Sequence, residues 1–101
     1  MSKQNHILKE NFNLLAEALK SIGHPERIAI VNLICSSKEN RMTVKSIYGS
    51  LKMEQPIVSR HLGILKRCGI LERKTEGVNT FYCLCENNKI AEQIYKCLCV
   101  K

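Results

Sequence analysis

Apolar positions change their period along the chain, and each change marks an element. Leu8, Phe12, Leu15, Leu19 and Ile22 recur at steps of four and three, which predicts a helix over about residues 6–22 with one apolar face. Gly23 supplies its stop, and His24-Pro25 restarts the chain with Pro25 in a first turn, where a missing N–H costs nothing. Ile28, Ile30, Val31, Leu33 and Ile34 make the next helix apolar on most sides, so it belongs at the centre of the fold. Residues 36–40 are a polar loop. Thr43 can cap a short third helix with Val44, Ile47, Tyr48 and Leu51 inward. After a tight break at residues 52–55, Pro56 opens a fourth helix that runs to about Arg67, with Val58, Leu62 and Leu65 inward and Gly69 at its end. Residues 70–75 and 79–85 read as extended. With Gly77 at the tip between them, they predict a hairpin. Asn87 or Asn88 can cap a last helix bearing Ile90, Ile94 and Leu98.

The chain has 101 residues, 45% apolar and 25% charged, which suits one small core and a single domain over residues 1–101. Charge changes the picture more than size does. The net is +7, and all nine acids are Glu. Residues 41–74 hold eight bases against two acids, a net of +6, leaving +1 for the rest. A merely solubilising surface would spread this charge evenly; its concentration points to a polyanion. Two short helices joined by a tight turn, the second basic and followed by a basic hairpin, form a winged helix-turn-helix. The fold class is therefore mainly α with a β-hairpin wing: about five helices plus a two-stranded wing. Such a helix fits the major groove of double-stranded DNA, and the hairpin reaches the neighbouring backbone. Gln55, Ser59, Arg60 and Gly63 are the outward positions of the fourth helix. Gln suits adenine, Arg suits guanine and Ser is permissive. Arg73, Lys74, Asn79 and Thr80 near the hairpin tip are phosphate contacts by type, and Thr43, Lys45, Pro56 and Lys66 complete the candidate DNA surface. His61 is two residues from Ser59, which turns the two side chains to different sides of the helix and excludes a catalytic pair. It reads as a DNA- or phosphate-facing residue, or as a helix-surface histidine.

No secretory signal and no apolar run of spanning length occur, so a soluble cytoplasmic protein without membrane contact is expected. Six cysteines, at 35, 68, 83, 85, 97 and 99, are then mostly reduced thiols rather than a disulfide framework. No phosphate loop, dinucleotide fingerprint or pair of catalytic carboxylates is present, which argues against an enzyme. His6, His24 and His61 have no companion cluster in sequence, so neither a metal nor a cofactor is expected.

The run from Gln55 to Leu71, containing Val58-Ser59-Arg60-His61-Leu62, resembles the recognition helix and first wing strand of the ArsR/SmtB family. His24-Pro25-Glu26-Arg27-Ile28-Ala29-Ile30 resembles the start of that family's second helix, and Lys74-Thr75-Glu76-Gly77 with Phe81-Tyr82-Cys83-Leu84 its wing. The resemblance covers about residues 8–100. It implies a homodimeric transcriptional repressor that leaves an imperfectly palindromic operator when an inducer binds, and it names no inducer. It also implies a dimer interface from the first and last helices, to which Leu8, Phe12, Leu15, Leu19, Ile90, Ile94 and Leu98 are suited; the alternative is that these stripes pack only on their own core. The family's third-helix thiol site has no counterpart, because residues 42–48 contain no cysteine. Its zinc site on the last helix would map onto Glu86, Asn88 and Cys99, and Asn is a poor zinc ligand. Relatives that sense oxidants join a thiol of the second helix to one of the last, which would implicate Cys35 with Cys97 or Cys99. A winged-helix interaction module that does not read DNA is the competing reading, and the basic fourth helix speaks against it.

Overall fold

The computed structural model describes residues 2–99, with side chains described from Phe12 to Leu98. The elements run α1 (Ser2–Ile22), α2 (Pro25–Ser36), β1 (Arg41–Thr43), α3 (Val44–Leu51), α4 (Gln55–Arg67), β2 (Leu71–Glu76), β3 (Asn79–Leu84) and α5 (Lys89–Cys99). The five helices and the hairpin stand where periodicity and caps put them, although α1 begins several residues earlier than its apolar stripe. Leu8 and Cys99 lie on α1 and α5, but their side chains fall outside the described residues.

One strand was not foreseen. Residues 41–43 pair antiparallel with β3, Arg41 opposite Cys83 and Thr43 opposite Phe81, giving a sheet ordered β1-β3-β2. Three residues are too few to show an alternating pattern, and this strand exists only because β3 offers it a free edge. In the hairpin, Glu76 faces Asn79, so the loop is the two residues Gly77 and Val78. Gly77 has φ +60 and Val78 is not left-handed, the arrangement of a type II′ turn.

The helix ends follow from side-chain chemistry. His24 Nδ1 accepts the backbone N–H of Glu26 at 3.2 Å and starts α2. Thr43 Oγ1 accepts the N–H of Ser46 at 3.2 Å and starts α3. Lys52, in the left-handed region with φ 55, closes α3 and makes the tight turn.

The core is centred on α2. Ile30, Val31 and Ile34 are fully buried against Ile47 of α3, Val58, Leu62 and Leu65 of α4, and Ile70 and Leu71 at the base of the wing. Tyr82 and Leu84 of β3 pack on the same core, so Cys83 takes the opposite face of the strand, as alternation requires. Among the described residues, α1 adds only Ala18 and Ile22 to the apolar core. Phe12 is 62% exposed and Leu19 53%, an unusual state for an apolar helix stripe.

Asn88 ties two of these elements together. Its Oδ1 accepts the N–H groups of Ile90 and Ala91 at 2.9 and 3.0 Å, capping α5, while its Nδ2 donates to the carbonyl of Gly69 at 2.8 Å. Gly69 has φ +80, and a Cβ there would stand 3.0 Å from that Nδ2. Replacing Asn88 with Ala is expected to cost about 1–2 kcal/mol in urea unfolding with an unchanged denaturant slope. A loss under about 0.5 kcal/mol, the level of an ordinary surface change, would count against the cap.

Candidate nucleic-acid interface

The turn between α3 and α4 presents α4 with one face inward and one outward. Val58, His61, Leu62 and Leu65 form the buried stripe. Gln55, Pro56, Ser59, Arg60, Lys66 and Arg67 are exposed, and Gly63 is half-buried between the two faces. Lys45 is exposed on α3 beside this surface. Thr43 is half-buried with its hydroxyl engaged in the α3 cap. On the wing, Arg73, Lys74 and Asn79 are exposed and Thr80 is half-buried. The base of the wing is braced by Arg41. Its guanidinium lies 4.1 Å from the centre of the Phe81 ring and bonds Glu76 at 2.8 Å and Glu39 at 3.0 Å. The Glu76 and Glu39 bonds raise the Arg41 pKa, and Arg41 in turn holds the Glu76 carboxyl below its usual range. Lys74 pairs with Glu72 at 3.2 Å, so part of the wing's positive charge is internally matched.

His61 is not on the DNA face. It is only 6% exposed, because it stands three residues after Val58 and four before Leu65, on the inward stripe. That spacing was the signal in the sequence that placed it. Arg27 Nε donates to His61 Nδ1 at 3.1 Å, and Arg27 Nη1 donates to the Ser21 carbonyl at 3.0 Å. His61 Nε2 stands 3.8 Å from Glu26 Oε1, and the His24 ring is 5.0 Å away, centre to centre. Burial, aided by the positive charge of Arg27, lowers the His61 pKa and keeps the ring a neutral acceptor. The expectation that no histidine has companions fails here: His24, Glu26 and His61 are separated in sequence and meet where α2 begins against α4.

The model of bacterial regulatory proteins of the arsR family matches residues 24–73, from the start of α2 through the helix-turn-helix into the first wing strand. The transcriptional repressor PagR of Bacillus anthracis is 37% identical over 83 residues, covering 82% of this chain and 79% of PagR. The chain belongs to the arsR family. The biofilm growth-associated repressor of Agrobacterium fabrum is 30% identical over 87 residues, covering 84% of this chain and 72% of that protein. The PagR crystal structure superposes with a TM-score of 0.77 at 33% identity, over 89% of this chain and 98% of PagR. A Mycobacterium bovis winged helix-turn-helix DNA-binding domain, solved as a homodimer, shares the fold with a TM-score of 0.75 at 19% identity, over 89% of this chain and 79% of that domain.

As an arsR-family protein the chain is a transcriptional regulator and not an enzyme. No helix among its described residues is long and apolar enough to cross a membrane. Leu15, Leu19, Ile22 and Ile28 face Ile90, Ile94, Cys97 and Leu98 across a groove of about 410 Å³. Four of the described thiols divide between two places. Cys35 lines a cleft with Cys83, Cys85 and Tyr95 at the back of the wing, whereas Cys97 lines the apolar groove. The pairing of Cys35 with Cys97 therefore has no shared cavity. Burial pushes the Cys83 thiol up, away from the reactive thiolate form.

The Arg27 contacts generate a stability prediction. Arg27→Met leaves the buried His61 Nδ1 without its donor and is expected to cost roughly 1–3 kcal/mol in denaturant unfolding. Ser59→Ala, on the outward face, is expected to stay within about 0.5 kcal/mol of the parent. Equal effects for the two would refute this division of α4.

Proposed function

We propose that this arsR-family regulator is a homodimeric repressor, one winged helix-turn-helix domain per protomer, that binds an imperfectly palindromic operator. The observation carrying the reading is the two-sided α4: Gln55, Ser59 and Arg60 are exposed while Val58, His61, Leu62 and Leu65 form a buried stripe. Gln55 and Arg60 read base edges in the major groove, and Ser59 tolerates either purine. Lys45, Lys66, Arg73, Lys74, Asn79 and Thr80 contact phosphates and set register, with Thr43 and Pro56 shaping the ends of the two helices. The dimer forms through α1 and α5. Phe12, Leu15, Leu19, Ile90, Ile94 and Leu98 supply an apolar surface that one protomer alone leaves partly in water. Two-fold symmetry then sets the recognition helices about 34 Å apart, one turn of DNA. A small inducer releases the repressor in the cytoplasm.

Binding to DNA from the protein's own upstream region, titrated at several salt concentrations, tests the reading. Arg60→Ala is expected to lose about 1–3 kcal/mol of discrimination over random DNA, and Lys66→Ala to weaken binding to all sequences and reduce the salt slope by about 1. A flat salt response with no preference over random DNA defeats it. For the dimer, Leu19→Lys places two charges in the interface and is expected to weaken self-association at least about a hundredfold. Sedimentation of the variant as a dimer at the parent's concentration would assign the apolar face another role.

A further inference from the structure

One group of side chains outside the DNA-reading set has the composition of a metal centre. His24, Glu26 and His61 each offer a ligand atom, and the three atoms lie within 4.8 Å of one another. A cavity of about 500 Å³, lined also by Pro56, Ile57 and Arg60, opens beside them at the joint between the start of α2 and the first turns of α4. We propose that His24, Glu26 and His61 bind a divalent transition-metal cation, with zinc the best fit.

The donor set argues for this class of ion. Two imidazoles and a carboxylate with the fourth position left to water make an open tetrahedral zinc site. With zinc–ligand bonds of about 2.1 Å, neighbouring ligand atoms in a tetrahedron stand roughly 3.4 Å apart. His61 Nε2 and Glu26 Oε1 are already at 3.8 Å. His24, only half-buried, closes the third side by side-chain rotation. Arg27 and Arg60 bring positive charge near His61, which disfavours hard cations such as magnesium and calcium that are held mainly by oxygen and charge.

Binding rearranges protons without a net change on the rings. In the metal-free protein both Nδ1 atoms accept N–H groups, from Glu26 and from Arg27, so each neutral ring carries its proton on Nε2. The ion takes the Nε2 lone pair of each ring. The proton leaves Nε2 and one is taken up at Nδ1 through solvent; His24 rotates off the fixed backbone N–H of Glu26, giving up its cap of α2, and the Arg27 Nε–H turns away from His61. Arg27 keeps its other bond, Nη1 to the Ser21 carbonyl. Zinc thus replaces the Arg27–His61 link between α2 and α4 with a metal link between the same helices.

The test needs no DNA, so it stands or falls apart from the proposed repressor activity. Metal-free, nitrogen-15-labelled protein is titrated with zinc while the imidazole nitrogens are followed by NMR. Together, His24 and His61 are expected to convert Nδ1 from acceptor to protonated form and Nε2 to metal-bound form, with His6 unmoved. Zinc captured by the cysteines leaves these signals alone. Glu26 is exposed, so Glu26→Gln folds, and it is expected to raise the zinc concentration for half-conversion at least about tenfold. Stationary His24 and His61 signals in excess zinc, or a Glu26→Gln response equal to the parent's, would overturn the site.

Discussion

The burial of α2 is the constraint on which the other elements depend. Ile30, Val31 and Ile34 are wholly removed from water, and α1, α3, α4, α5, β1 and β3 all pack against this helix. A helix with apolar residues on most sides has no stable position except an enclosed one. Once it is enclosed, the amphipathic α3 and α4 can meet it only with their own apolar stripes, and that rotation alone turns Gln55, Ser59 and Arg60 outward. The outward face of α4 follows from core packing. No contact on the outer face of α4 holds it in its orientation.

Much of this architecture was legible in the chain because local signals and long-range packing agree. Pro25, Thr43 and Pro56 mark helix starts whose geometry matches their chemistry, Gly23 follows the end of α1 without the left-handed conformation of a glycine cap, and Gly77 supplies the turn that a two-residue hairpin requires. The strand β1 was illegible because its three residues gain their conformation from β3, far along the chain. His61 was misplaced for a different reason. Its polarity suggested the surface, while its spacing from Val58 and Leu65 put it inside, and packing won because Arg27 satisfies it there. The cluster with His24 and Glu26 has no sequence signature at all, since only the approach of α2 to α4 creates it.

The charge pattern gained resolution in the same way. The excess over residues 41–74 looked uniform in sequence, yet the folded chain divides it. Arg41 is held by Glu39, Glu76 and the Phe81 ring, and Lys74 by Glu72. Lys45, Arg60, Lys66, Arg67 and Arg73 stand in solvent. Arg41 is turned into the sheet, whereas Lys74 stays exposed beside its Glu72 partner and joins the second group on the solvent side. Exposed ion pairs contribute little to stability on their own.

Asn88 joins the turn that ends α4 to the start of α5 through a single amide group. Both of its polar atoms are engaged, one toward each helix, and the positive φ of Gly69 brings that carbonyl within reach. The cap of α5 and the bond to Gly69 therefore depend on one side-chain conformation. The chain thus contains a stiff linkage between its apolar groove and its basic face, made from one side chain. Removing that side chain would uncap α5 and release the Gly69 carbonyl in one step, so the helix lining the groove and the turn that ends α4 are held by the same amide.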